Sequence, residues 1–232
     1  KGAQNSEFIR NPNLDEFHSL SNIKMVTIAP ELPGGEEFIA NCGCEVALGH
    51  TDCDYDTAIK AIKAGANCLT HTFNAMPPIH HRNPGPIGAA IDKNIYVQVI
   101  CDGIHIHPCI IRMIYKLFGK ERMILISDSM RATCLSDGEY DFGGQTIRVK
   151  DGVARTLDGA IAGSTSTLMD CVRKAAEFGI PEGDAFYMAS RTPSVLMKEN
   201  KGLISPGYDA DLLIVNDDLS LDKVIINGNV PE

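Results

Sequence analysis

Five short runs of apolar and β-branched residues each stop abruptly at a polar group, and this pattern constrains the fold more than anything else in the chain. The runs are "KMVTIAPE" (24–31), "CEVALGHT" (44–51), "NCLTHTFN" (67–74), "IYVQVICDG" (95–103) and "RMILISDS" (122–129). Helix-like segments separate them. "DYDTAIKAIKAG" (54–65) places Ala58, Ile59, Ile62 and Ala64 at helical spacing and stops at Gly65, while "PCIIRMIYKLFG" (108–119) opens on Pro and closes on Gly. This alternation is the rhythm of an α/β protein with a parallel sheet. Such a sheet presents its active groups at the carboxyl ends of its strands, where the loops converge. Glu31, His50, His71, Asp102 and Asp128 all fall at those ends.

Beyond Asp128 the pattern changes. "DFGGQTIRVKDGVARTLDGAIAG" (141–163) alternates and carries Gly-containing turns typical of hairpins, and "STLMDCVRKAAEFG" (166–179) reads as a helix. The tail from 206 to 232 holds two strand candidates, "ADLLIV" and "KVIING", with no helix after them, so they are expected to pair in a separate small sheet. A length of 232 residues suits most of one α/β barrel, which typically needs ~250.

Composition narrows the function. Hydrophobic residues make up 44% and charged residues 22%, and no run approaches the ~18 apolar residues of a membrane span. The net charge of −9, with basic residues scattered, disfavours nucleic acid as a partner. The eight cysteines form no C-x-x-C pair and several sit in apolar runs, which fits a reducing cytoplasm. "CGC" at Cys42–Cys44 reads as packing. Residues 1–20 contain neither a starting Met nor an apolar leader, so the sequence is expected to be a piece of a longer chain.

His50 and His71 lie twenty-one residues apart, one strand-helix-strand step, which sets two imidazoles on neighbouring strand ends. Neutral imidazole ligates zinc or iron well. Each ring alone could equally cap its strand, and Asp128 could equally cap the following segment. Two adjacent rings with a carboxylate further round the rim favour a hydrolytic unit, in which Asp128, ionised at its usual pKa of ~3.9 or below, accepts a proton from water. His18, His80, His81 and His107 read as solvated loop or surface residues.

The segments "VTIAPE", "GHT", "THTFNAMPP", "RNPGPIG", "DGIHI", "LISDS", "LDGAIAGSTSTL" and "PGYDADLLIVN" resemble, in that order, the amino-sugar-phosphate deacetylases of the amidohydrolase superfamily. The resemblance covers essentially the whole chain. It implies a metal-bearing (β/α)8 TIM-type barrel, here partial with early strands missing, spanning 1–205 with a β-hairpin insertion near 141–163. Residues 206–232 would supply strands of a small β-sandwich accessory domain. The implied reaction is hydrolysis of the acetamide of N-acetylglucosamine 6-phosphate to acetate and glucosamine 6-phosphate. The resemblance makes His50 and His71 ligands of one or two divalent ions, zinc or iron, and Asp128 the general acid/base. It assigns substrate contacts to Ala3, Gln4, Asn74, Ala75, to Asp102, Gly103, Ile104 and His105, and to Ile161, Ala162 and Gly163. Arg82 and His105 would bind phosphate across the interface of a homodimer.

Two departures stand out. The family's third ligand is a glutamate in an "EGP"-type motif that precedes the segment matching "KGAQN", and the sequence begins at Lys1. Gln4 stands where the family usually has histidine; its amide can donate a hydrogen bond but cannot become cationic. Alternative readings are another amidohydrolase, deaminase or dihydroorotase-like, and a catalytically silent sugar-phosphate-binding barrel fragment.

Overall fold

The computed structural model describes residues 2–231. A short helix α1 (Leu14–Ser19) precedes strand β1 (Met25–Ile28), helix α2 (Gly35–Asn41), strand β2 (Glu45–Leu48), helix α3 (Tyr55–Ala64) and strand β3 (Cys68–Leu69). Helix α4 (Gly85–Lys93), strand β4 (Tyr96–Ile100), helix α5 (Pro108–Phe118) and strand β5 (Met123–Ile126) continue the alternation. The five strands form one sheet in sequence order β1-β2-β3-β4-β5, with every pair parallel. All five apolar runs of the sequence are strands of this sheet.

Local chemistry sets the crossover helices. The Asp54 side chain accepts from the Thr57 amide at 2.8 Å to start α3, and Gly65, at φ 133°, ends it. Pro108 opens α5, His107 caps it by accepting from the Cys109 amide at 3.2 Å, and Gly119, at φ 64°, closes it. Each helix turns an apolar face to the sheet. Ile87 of α4, Ile111 and Ile114 of α5, and Val46, Leu48, Leu69, Val97, Val99, Met123 and Leu125 of the strands form the main core. Ala47, Cys68 and Ile124 face the other side of the sheet and meet Leu196 there.

The region past β5 holds more strand than the expected hairpin. Strands β6 (Gly138–Phe142), β7 (Gln145–Lys150) and β8 (Val153–Thr156) make a three-stranded antiparallel sheet with its own small core of Ala132, Ile147, Val149, Ala154 and Ala162. Helix α6 (Leu168–Glu177) follows, opened by a capping box between Thr167 and Asp170, and then helix α7 (Glu182–Leu196). Strands β9 (Leu212–Val215) and β10 (Leu221–Ile225) pair antiparallel in a two-stranded sheet of their own. Among the described residues no helix is long and apolar enough to cross a membrane.

Candidate active site

Strand register puts the chemistry on one edge. Ile28 pairs with Leu48, Leu48 with Leu69, Leu69 with Val97, and Ile100 with Ile126, so the chain leaves the sheet at nearly one level after each strand. His50 follows β2, His71 follows β3, Asp102 follows β4 and Asp128 follows β5. His50, His71 and Asp128 take left-handed backbone conformations, at φ 48°, 29° and 51°. Non-glycine residues adopt that region at a cost of about 1–3 kcal/mol each, and such strain gathers at functional sites. Of the four residues that the register places after β2 to β5, His50, His71 and Asp128 carry this strain and Asp102 does not.

These three line one cavity of about 320 Å³, together with Ala3, Gln4, Asn74, Ala75, His105, Ile161 and Gly163. That volume lies in the range of small-molecule sites. The rings of His50 and His71 meet edge to face, and their Nε2 atoms are 2.9 Å apart. Burial lowers the pKa of His71, which keeps its ring neutral with a nitrogen lone pair available. Burial also raises the Asp128 carboxyl above its usual range, with His105 and His50 offsetting part of that and Asp102 adding to it. The sequence reading sets Asp128 at or below an ordinary carboxylate pKa beside a cation; burial by itself acts in the opposite direction.

Loops behind the cavity hold these groups in place. Asn74 donates from both its backbone and its side-chain amide to the His71 carbonyl, at 2.9 and 3.2 Å, and the Thr51 amide donates to the Ala75 carbonyl at 3.1 Å. The Ser164 amide donates to the Asp128 carbonyl at 2.8 Å and the Met130 amide to the Ser164 carbonyl at 3.0 Å, tying β5 to the segment after β8. Gln145 reaches the Ala3 carbonyl at 3.3 Å and so fixes the first residues over the site.

Several residues singled out in the sequence lie elsewhere. Glu31 accepts from Thr51 Oγ1 and, at 2.7 Å, from the Asp52 amide, so it braces the loop after His50 without entering the cavity. Ala162 is fully buried in the small core beside β7 and β8, and its amide donates to the Ala154 carbonyl, so neither faces a ligand. Gly103 and Ile104 form a turn outside the cavity lining, and Ile104 is exposed. Asp102 is buried behind His105. The His105 side chain, 6% exposed, lines the cavity of its own chain. Arg82 sits on an exposed loop, 2.6 Å from His81 Nε2, beside a separate hollow with Asp52, Asp54 and Asp56. Cys42 and Cys44 hold their Sγ atoms 3.9 Å apart, and burial and the neighbouring Cys42 push the Cys44 thiol up to about 11, consistent with packing. Phe142 of β6 and Met130 also line the cavity, which no residue pattern signals, because hairpin alternation does not say where the hairpin folds.

Residues 40–230 match the amidohydrolase family. The chain belongs to the amidohydrolase family. Against the N-acetylglucosamine-6-phosphate deacetylase of Bacillus subtilis (strain 168), this amidohydrolase is 38% identical over 241 residues, covering 99% of the chain and 61% of that protein. It is 32% identical to an N-acetylgalactosamine-6-phosphate deacetylase of Escherichia coli O157:H7, covering 99% of the chain and 64% of that protein. Among solved structures, that of the N-acetyl-D-glucosamine-6-phosphate deacetylase of Mycobacterium smegmatis, a mutant in complex with N-acetyl-D-glucosamine-6-phosphate, superposes with a TM-score of 0.94 at 38% identity, over 99% of this chain and 64% of that one. An enamidase at 15% identity and TM-score 0.56 shares the amidohydrolase fold. The chain spans about three fifths of the length of the curated relatives it matches.

Two histidine nitrogens fit a divalent cation. Nitrogens each ~2.0–2.1 Å from one tetrahedral zinc ion stand about 3.3–3.4 Å apart, so the Nε2 atoms of His50 and His71, at 2.9 Å, need to part by only a few tenths of an ångström. No cluster of three or more His, Cys, Asp or Glu side chains with metal-binding geometry occurs among the described residues. Among the described residues the candidate ligands are therefore these two rings.

Proposed function

We propose that this amidohydrolase hydrolyses the acetamide of N-acetylglucosamine 6-phosphate to acetate and glucosamine 6-phosphate, in amino-sugar catabolism. The observation that carries the reading is the convergence of His50, His71 and Asp128 with Gln4 and Asn74 on one cavity, in a chain 38% identical to a deacetylase of that substrate. We read the five-stranded sheet as part of a (β/α)8 barrel within 1–205, and β9 and β10 as strands of a small β-sandwich within 206–232.

His50 and His71 would hold a divalent ion, zinc or iron, which when bound supplies Lewis acidity that brings the pKa of water toward ~7. Asp128 takes a proton from the attacking water as the new C–O bond forms at the acetamide carbon. It then returns that proton to the sugar nitrogen as the C–N bond breaks, so the amine and acetic acid leave, the acid ionising to acetate as the amine takes up its proton, and Asp128 is restored. Gln4 and the oxygen of the Asn74 side-chain amide supply hydrogen-bonding groups to the substrate, and the Ala75 and Gly163 backbone lines the sugar.

Arg82, on its exposed loop, is free of the cavity of its own chain and suits a phosphate dianion presented by a second copy in a homodimer. A cytoplasmic setting follows from the substrate class. Acetate release by the full-length protein, compared on phosphorylated and unphosphorylated N-acetylglucosamine, tests the reading. Turnover of the phosphorylated sugar at least about tenfold above the other is expected, since one lost charge-assisted contact is worth about 1.5–3 kcal/mol. Equal turnover of the two, or turnover of neither, contradicts it.

A further inference from the structure

The turn after β4 holds a buried Asp-His pair whose geometry gives Asp102 a role distinct from ligand contact. Asp102 Oδ1 accepts from the backbone amides of Ile104 and His105 at 2.8 and 2.9 Å, and Oδ2 lies 2.7 Å from His105 Nδ1. The two side chains are 1% and 6% exposed. His105 lines the cavity and Asp102 does not. Gly103 makes the turn possible: it sits at φ 79°, and a Cβ there would stand 3.2 Å from Phe178 Cζ. The carboxylate is therefore walled off by the residues that it organises.

An ionised carboxylate only accepts hydrogen bonds, so the nitrogen facing it must carry a proton. Burial raises the Asp102 pKa, but hydrogen bonds from the His105 side chain and from the His105 and Ile104 amides outweigh it and hold the carboxyl below its usual range. Asp102 is thus the charged acceptor at neutral pH. A neutral His105 then has its proton on Nδ1, and Nε2 is left bare.

We infer that Asp102 is a positioning residue that locks His105 in the Nδ1–H tautomer, with Nε2 offered to the cavity as an acceptor for a hydroxyl or amide N–H of the bound sugar. This moves Asp102 out of the set of substrate contacts. With its proton on Nδ1 alone, the His105 ring is an acceptor for the sugar, where a phosphate ligand would need a donor. The assignment deepens the deacetylase reading and rests on it for its kinetic consequence, whereas the tautomer is read without turnover.

The test uses the full-length protein with isotope-labelled histidine, in which two-bond proton–nitrogen correlations report the protonated ring nitrogen of His105. The wild type is expected to show Nδ1–H. Asp102→Asn keeps an oxygen for the two backbone amides but turns an N–H toward the ring, so the tautomer should switch to Nε2–H. In the variant kcat/KM on N-acetylglucosamine 6-phosphate should fall about 10–100-fold, the cost of leaving a buried donor of the sugar without its acceptor. A wild-type ring carrying its proton on Nε2 overturns the inference even if the variant does not fold. So does a variant that loses thermal stability while keeping its tautomer and kcat/KM, or one that switches tautomer with kinetics unchanged. A wild type with an Nδ1–H ring and no deacetylase activity would sink the functional reading and leave the Asp102–His105 lock standing.

Discussion

Asp128→Asn should lower kcat about 10²–10⁴-fold while leaving KM for N-acetylglucosamine 6-phosphate within a few fold, because proton transfer by a placed side chain contributes that much. Asparagine has nearly the same shape, and the groups that hold position 128 are backbone groups: the carbonyl accepting from Ser164 and the short bridge from Ser129 to Ser164. The fold should therefore survive. What is lost is a carboxyl that can accept a proton and give it back. Steady-state kinetics on the full-length protein, with circular dichroism as the control for folding, measure it. A variant that keeps a tenth or more of the wild-type kcat would remove Asp128 from the chemistry.

Gly49→Ala should cripple the site through packing alone. A Cβ at Gly49 would stand 2.6 Å from Thr70 Cβ and 3.0 Å from Thr27 Cγ2, at a point where β1, β2 and β3 run side by side. Thr27 and Thr70 are themselves joined by a 2.8 Å hydrogen bond between their hydroxyls. Relief requires the loops after β2 and β3 to move apart, and these carry His50 and His71. Overpacking of this kind costs about 1–3 kcal/mol of stability. Displacing two ring nitrogens now 2.9 Å apart should also weaken metal binding more than the stability loss alone explains. Urea unfolding and metal titration of the same variant separate the two effects. Wild-type midpoint and wild-type metal affinity together would show that the close approach at Gly49 does not matter.

Much of this was legible in the residues. The five apolar runs are the five strands of the parallel sheet, and the ionisable residue after each of β2, β3, β4 and β5 stands on one edge, because strand termini are written in sequence by the change from apolar to polar. The helices α3 and α5 announce their ends through Asp54, Pro108, Gly65 and Gly119. Helix α7 gave no such signal. Pro193 lies inside it, and its buried face includes Thr192 and Ser194, whose hydroxyls bond to the Lys120 and Ser190 carbonyls, so the helix lacks a plain apolar stripe.

The site was legible as a set of residues and less so as a geometry. His50, His71 and Asp128 could be chosen from their places after strands, but their left-handed backbone could not, since neither residue type nor neighbours demand it. Ala162 and Gly163 are adjacent in one motif, yet the first packs inward and the second lines the cavity, a division made by the register of the segment after β8. The partnership of Asp102 with His105 depends on a turn of three residues. Spacing alone leaves open whether the carboxylate meets the ring or the ligand.

Cation-dependent cleavage at the cavity of His50, His71 and Asp128 is the core of the account. The direct measurement is acetate release from N-acetylglucosamine 6-phosphate by the full-length protein after chelation and again after reloading with zinc or iron. Activity should fall at least about 10²-fold on chelation and return on reloading, with His71→Ala failing to recover it. Undiminished acetate release from protein shown by elemental analysis to be metal-free would contradict the account.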